Sequence, residues 1–301
     1  MTLQELKYLI ALADYGHFGK AADACFITQS TLSTQIKKLE DFLGVTLFDR
    51  SLKRVTPTPI GVEILSSARR IIEEAEYIRA RAKLTQNPME RTLNLGVIPT
   101  LGPYYLPQAL TLVHAQHPSL RLLLREELTP KILEHLENGK LDAALIALPI
   151  FDANLHIEPL FYESFFAALP AEHKLAQKTT LSVSDLANEK LLLLDEGHCL
   201  RDQALEVCGT GSRGREEVRA TSLETLRQMV SMGLGLTLMP ALAVDARLRT
   251  SAASLVSRPF KTPAPGRTIA LVWRKRAPLP QTFLALAATL KAHLPPEVQA
   301  V

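Results

Sequence analysis

Thr28-Gln29-Ser30-Thr31-Leu32-Ser33-Thr34-Gln35-Ile36-Lys37-Lys38-Leu39-Glu40-Asp41-Phe42-Leu43-Gly44 reads as one short helix with two unlike faces. Leu32, Ile36, Leu39 and Leu43 recur at helical spacing and form an inward stripe. Gly44 supplies the stop, because glycine takes the left-handed C-terminal conformation without a Cβ penalty. The other face carries Gln29, Ser30, Thr31, Ser33, Thr34, Gln35, Lys37 and Lys38. Ser and Thr are mediocre helix formers, so four of them on one face in place of Glu and Lys point to a task other than solvation. Short hydroxyls and amides near a helix start can reach base edges in the major groove, with lysines behind them for phosphates. The competing reading is a solvated face of an ordinary three-helix bundle, which polarity alone supports equally well.

Two more helices are predicted upstream. Leu6, Leu9, Ile10 and Ala13 form one apolar face that Gly16 ends, and Phe18, Ala21, Ala22 and Cys25 repeat the spacing, which puts Cys25 in the core. Downstream, Leu47-Phe48 and Arg54-Val55 predict two short strands around Asp49 to Lys53, a wing. Arg50, Lys53 and Arg54 there would join Lys37 and Lys38 in meeting phosphates. From Pro59 to Leu84 a long helix is predicted, with Ile60, Ile64, Leu65, Ala68, Ile71, Ile72, Ala75, Ile78 and Ala82 on its apolar side and Pro59 in its first turn. A helix of that length with a single stripe needs a partner, either a second copy or its own regulatory domain. Thr85 to Arg91, with Asn87-Pro88, is the predicted hinge.

This string resembles the LysR-type transcriptional regulators. Phe18, Ala21, Ala22, then Gln29, Leu32, Ser33, Gln35, Ile36, Leu39, Glu40, then Leu43, Gly44, Leu47, Phe48, Arg50 match the family's DNA-binding signature. One departure is Ser30, where many members carry proline at the start of the recognition helix. The resemblance implies a winged helix-turn-helix whose third helix enters the major groove of promoter DNA, and a linker helix that dimerises.

Composition bounds the rest. The chain has 301 residues, 47% hydrophobic and 22% charged, which suits a soluble multidomain protein. No basic segment followed by an apolar stretch opens it, and no run nears the ~18 apolar residues a membrane span needs, so a cytoplasmic protein without a membrane partner is expected. A net charge of +3 is too mild to announce nucleic-acid binding, so phosphate contacts must come from local placement. Three cysteines, an odd number in a large chain, suit a reduced compartment in which any disulfide is conditional.

Beyond the hinge, strands at Leu93–Val97, Leu120–Leu124 and Leu141–Leu148 alternate with helices at Tyr104–Gln116 and Lys131–Asn138. That is a βαβαβ unit, which predicts a mostly parallel sheet with helices on both faces. A second round runs through Phe165–Leu169, Leu191–Leu194, Val218–Thr221, a helix capped by Thr221 with Glu224, and Leu236–Met239. Thr268–Trp273 adds a late strand and Gln281–Leu294 a last helix. The fold expected is α/β, with an N-terminal winged helix-turn-helix at 1–58, a linker helix and hinge at 59–91, and a regulatory domain at 92–301. That domain would hold two Rossmann-like subdomains in a periplasmic-binding-protein-like arrangement, subdomain I at 92–163 plus 269–301 and subdomain II at 164–268. The cleft between them is the usual place for a small ligand.

No phosphate loop, dinucleotide fingerprint or HExxH is present, and the eight histidines do not cluster with cysteine, so no metal or cofactor is expected and enzyme chemistry finds little support. The informative stretch is Asp195-Glu196-Gly197-His198-Cys199-Leu200-Arg201-Asp202-Gln203-Ala204-Leu205-Glu206-Val207-Cys208. Cys199 to Val207 have helical composition, so Cys199 would open a helix beside His198 and within a turn of Arg201, features that favour the thiolate. Nine residues of helix separate Cys199 from Cys208 by about 13 Å. A disulfide needs Cα atoms roughly 4.4 to 6.8 Å apart, so a bond between them and a standing helix exclude each other. Gly209, Gly211 and Gly214 would give the chain freedom to rearrange. Taken alone, two such cysteines are most often inert small hydrophobes.

Gly197-His198-Cys199-Leu200-Arg201-Asp202-Gln203-Ala204 with Cys208, and Ala220-Thr221-Ser222-Leu223-Glu224-Thr225-Leu226-Arg227, resemble the peroxide-sensing OxyR branch of the LysR-type regulators, over essentially the whole chain. That likeness implies that hydrogen peroxide oxidises Cys199, that Cys208 resolves the product as a disulfide, and that Thr100, Thr129, His198, Asp202 and Arg267 shape the peroxide pocket. It also implies a homotetramer and contact with RNA polymerase. Two other readings stay open. One is a LysR-type regulator whose cleft binds a metabolite, the cysteines being incidental. The other is a thiol peroxidase, against which the N-terminal signature weighs.

Overall fold

The computed structural model describes residues 1–50, 54–82, 89–208, 219–244 and 254–301. Lys53, most of the hinge and the Gly209–Gly214 stretch lie outside them. The chain divides into two compact units, Met1–Gln86 with Ala277–Leu279, and Asn87–Arg276 with Pro280–Val301.

In the first unit, α1 (Leu3–Tyr15) starts with a capping box between Thr2 and Glu5 and stops at Gly16, φ 61°. Helix α2 (Phe18–Ala24) is capped by His17, and α3 (Gln29–Leu43) by Thr28, with Gly44 at φ 69° closing it. Leu6, Leu9, Leu12, Ala21, Ala22, Leu32, Ile36 and Leu39 make the core these helices share. Cys25 is not in that core. It is the partly exposed C-cap of α2, because the helix ends one residue before it could turn inward.

The wing pairs β1 (Phe48–Asp49) with β2 (Thr56–Pro57) antiparallel, one to two residues beyond the strands expected at Leu47-Phe48 and Arg54-Val55. The residues at the near ends of the strands are tied elsewhere by their N–H groups, Leu47 to the Glu40 carboxylate at 2.8 Å and Val55 to the Gly16 carbonyl at 3.0 Å. Helix α4 (Pro59–Ala82) buries Leu65 and Ala68 against this unit and is tied to α1 by Arg69–Asp14 at 2.6 Å.

In the second unit, β3 (Thr92–Val97) is flanked in parallel by β4 (Arg121–Glu126) and β5 (Ala143–Ala147), with α5 (Gly102–Gln116) and α6 (Thr129–Glu137) as crossovers. Next comes β6 (Leu155–Pro170), a 16-residue strand of which only Phe165–Leu169 was expected. Its first part pairs antiparallel with β11 (Gly266–Arg274), and its last part pairs with β9 (Thr237–Pro240) and β10 (Leu255–Pro259). The expectation of a mostly parallel sheet is therefore corrected. Among the described residues only β3, β4 and β5 run parallel in it, and the rest is antiparallel because β6 and β11 return across the domain as long strands.

The second hydrophobic cluster holds Phe165, Leu169, Leu194, Leu200, Ala204, Cys208, Leu226, Val230 and Phe260. It packs α7 (Cys199–Cys208) and α8 (Leu223–Ser231) beside the short parallel pair β7 (Leu193–Leu194) and β8 (Arg219–Ala220). Ser222, not Thr221, caps α8 by accepting the Thr225 N–H at 3.1 Å, which leaves Glu224 to hold Arg227. Helix α9 (Pro280–Ala292) and β12 (Gln299–Ala300), paired to β6, complete the unit.

Candidate functional site

Two regions carry the residues singled out in the sequence. In the first unit, Gln29, Ser30, Thr31, Thr34, Lys37 and Lys38 are exposed along α3, and Ser33 and Gln35 are half-buried. The hydroxyls are organised. Thr28 Oγ1 lies 3.0 Å from Ser30 Oγ and 2.8 Å from Thr31 Oγ1, and Thr34 donates to the Ser30 carbonyl at 2.9 Å. Arg50 is less free than its sequence position suggests. It is paired with Glu40 at 2.7 Å and its guanidinium lies 5.3 Å from the centre of the Phe18 ring, so the side chain buttresses the wing. Arg54 lies over Gly16, where a Cβ would come within 2.6 Å of its Nε.

In the second unit, Cys199 is the first residue of α7. Gly197 precedes it at φ 90°, a conformation that lets the chain turn closely past Leu128 into the helix. Ile98, Pro99 and Thr100 from the β3–α5 connection, Leu128 and Thr129 at the start of α6, and Gly197, His198 and Cys199 line a crevice with about 140 Å³ of empty space. Four of the five expected pocket residues are gathered here. Thr100 and Thr129 line the crevice and His198 is buried in its wall. Arg267 stands behind Thr100, donating from one terminal nitrogen to its Oγ1 at 2.7 Å and from the other to its carbonyl at 3.0 Å. Asp202 is the exception. It is exposed on α7 and does not line the crevice, since it sits nearly a full turn, about 4.5 Å, further along the helix than Cys199.

Glu163 was not foreseen. It faces Arg267 across the β6–β11 ladder, and the two side chains, both without solvent exposure, pair at 2.8 Å through Arg267 Nε. Its other oxygen accepts the Leu242 N–H at 2.9 Å. A signal did exist in the sequence. A single carboxylate between Leu160-Phe161 and Phe165-Phe166 needs a buried partner, but nothing local says which.

The electrostatics differ from expectation. Burial raises the Cys199 thiol pKa above its usual value, opposed first by the Arg267 charge, then by the Thr129 hydroxyl and by the Leu200 and Cys199 amides of the helix start. Among the described residues Thr129 Oγ1 has no other hydrogen-bond partner. Burial lowers the His198 pKa, opposed by the Asp195 charge and by the hydrogen bond to the Thr221 backbone. Arg201 turns toward the exposed Glu196 at 3.8 Å. Cys208 is buried among apolar side chains, which pushes its thiol pKa up to about 11. Both thiols are free, at opposite ends of the ten-residue α7. Among the described residues no group of three acidic, histidine or cysteine side chains is placed to hold a metal.

Residues 3–62 match the bacterial regulatory helix-turn-helix protein of the lysR family, and residues 86–295 the LysR substrate binding domain. The DNA-binding transcriptional dual regulator OxyR of Escherichia coli (strain K12) is 41% identical over 296 residues, covering 98% of this chain and 96% of its own. A full-length Pseudomonas aeruginosa OxyR with a cysteine replaced by aspartate superposes with a TM-score of 0.85 at 40% identity, covering 97% of this chain and 95% of its own. A Corynebacterium glutamicum OxyR cysteine-to-serine mutant with hydrogen peroxide bound gives 0.65 at 33% identity, covering 97% and 92%. On these grounds the chain belongs to the LysR family of bacterial helix-turn-helix regulators, in its OxyR branch.

Proposed function

We propose that the protein is a DNA-binding transcription regulator that senses hydrogen peroxide through Cys199 and switches by forming a reversible Cys199–Cys208 disulfide. The observation that carries this reading is the crevice itself, where one thiol at a helix start faces two threonine hydroxyls backed by a buried arginine. Thr100 Oγ1 accepts from Arg267, so its own proton is free to point into the crevice. Thr129 offers a second hydroxyl. Together they suit a molecule with two adjacent oxygens, each able to accept and donate.

The chemistry follows from the thiolate. Its sulfur attacks one peroxide oxygen, the O–O bond breaks, and the departing hydroxide takes up a proton to leave as water while Cys199 becomes a sulfenic acid. Donors around the leaving oxygen stabilise the charge that develops there. The Cys208 sulfur then attacks the sulfenic sulfur, an S–S bond forms and a second water departs. Two thiols and one peroxide give one disulfide and two waters. With α7 intact the sulfurs cannot meet, so the second step requires the helix to unwind, and that change is the signal.

DNA is read by Gln29, Ser30, Thr31, Ser33, Thr34 and Gln35, with Lys37, Lys38, Lys53 and Arg54 on phosphates and Arg50 supporting the wing. The proposed division is 1–58 for DNA, 59–91 for linker and dimerisation, and 92–301 for sensing. A dimer through α4, a tetramer, contact with RNA polymerase, a cytoplasmic location and the absence of enzymatic turnover complete the reading. The metabolite alternative is disfavoured at this crevice, whose empty space of about 140 Å³, open solvent included, leaves no room for a metabolite-sized molecule. Among the described residues no helix is long and apolar enough to cross a membrane.

The decisive experiment adds one equivalent of hydrogen peroxide to the reduced protein, maps disulfides by mass spectrometry and footprints promoter DNA. The expected result is a Cys199–Cys208 bond with an altered footprint, both lost in Cys199→Ser while DNA binding persists. A Cys199→Ser protein whose footprint still changes with peroxide removes the proposal.

A further inference from the structure

The buried ion pair behind the crevice is larger than packing requires. Arg267 and Glu163 are both fully enclosed, and each makes a second set of contacts. Arg267 reaches Thr100 twice, and Glu163 reaches Leu242, in the turn Ala241–Ala243 that follows β9. One guanidinium thus joins the connection that carries Thr100 to β6, and through Glu163 to the turn after β9. Replacing such a pair with apolar residues often costs nothing in stability, so burial of two opposite charges is poorly explained by folding alone.

Its position suggests what it does. Arg267 is the charge that acts on Cys199, and the carboxylate lies on the Nε side while the two terminal nitrogens face Thr100. A bare guanidinium in this apolar setting would act on the thiol at full strength, and would be free to swing. A carboxylate paired to it at 2.8 Å both fixes the fork and cancels much of its field.

We propose that Glu163 is a positioning residue of the sensing site, holding Arg267 against Thr100 and damping the pull of the guanidinium charge on the Cys199 sulfur. The inference rests on the assignment of Cys199 as the sensing thiol, but its test reads ionisation and not peroxide chemistry, so the two fail separately.

The test measures the thiolate ultraviolet absorbance of Cys199 against pH in full-length protein lacking the other thiols (Cys25→Ser, Cys208→Ser), with the matched Cys199→Ser protein subtracted. In Glu163→Gln the side-chain shape remains and the charge goes, so the thiolate fraction at neutral pH should rise about tenfold. Combined with Arg267→Gln the same substitution should change nothing, because Glu163 acts through the guanidinium. Glu163→Asp keeps the charge, and its titration should follow the parent protein; this variant also decides the matter if Glu163→Gln fails to fold. A titration unmoved by Glu163→Gln, a shift of equal size in the Arg267→Gln background, or a Glu163→Asp thiolate fraction raised like that expected of Gln would each overturn the proposal.

Discussion

Phe26 holds the left-handed conformation, φ 57°, in the turn between α2 and α3, with 95% of its surface exposed. For a bulky residue that conformation costs about 1–2 kcal/mol, and an exposed ring has no burial to offset it. Asparagine tolerates the same backbone, so Phe26→Asn should raise the unfolding temperature of the full chain by roughly 2 °C or more, and calorimetry that finds no rise would show the strain to be absent. At Cys199 the sign is set by burial. With the thiol pKa raised, the reactive thiolate is a minor species at neutral pH and grows as pH increases. The rate of Cys199 oxidation should therefore climb from neutral into alkaline solution; a stopped-flow profile flat across that range would contradict the burial argument. The sequence places Cys199 at a helix start correctly, because Gly197 and the helical composition after it are local signals. It misjudges the thiol's ionisation, because Ile98, Pro99 and Leu128, which enclose the sulfur, come from distant segments that no spacing rule brings to residue 199.

Among the elements, helix-forming stretches are the most legible. Gly16, Gly44, Thr28 and Pro59 mark helix ends in the sequence and in the structure alike. Strand β6 is the opposite case. Pro159 within it argues against a continuous strand, yet the structure accommodates that proline where the register with β11 shifts, between Ile269 and Ala270. The wing is likewise set by a side chain outside it. Glu40 accepts the Leu47 and Phe48 N–H groups at 2.8 and 3.3 Å and holds Arg50. Glu40→Gln leaves one acceptor where two are needed, so the wing should detach at a cost of about 1–3 kcal/mol, with weaker DNA binding and unchanged helix content by circular dichroism. Helix α7 invites a sharper test. Leu200, Ala204 and Cys208 follow one buried face, so forming the disulfide must pull that face from the core. Leu200→Ala weakens the docked helix, which should raise the oxidised fraction at a given glutathione ratio. An unchanged fraction would mean that α7 need not leave the core.

For the whole molecule, the division into a DNA-reading and a sensing unit is legible because a long helical stripe runs into the Asn87-Pro88 hinge signal, beyond which strand and helix stretches take turns. How two copies meet is not, since a stripe on one helix names no partner. The structure narrows the choice. Along α4, Leu65 and Ala68 are used within the unit, whereas Ile60, Ile71 and Ile78 stay 41%, 41% and 64% exposed. Ile71 and Ile78 are seven residues apart, as the inner positions of a two-stranded coil are, and in the proposed dimer the same row of a second copy would cover them. Replacing Ile71 and Ile78 by aspartate would place charges in that seam without touching Leu65 or Ala68. Sedimentation should then give a monomer at micromolar concentration. The footprint should contract to a half-site, because one recognition helix without its twin loses the second half of the contacts. A double variant that still sediments as a dimer would move the interface off α4 and onto the sensing unit.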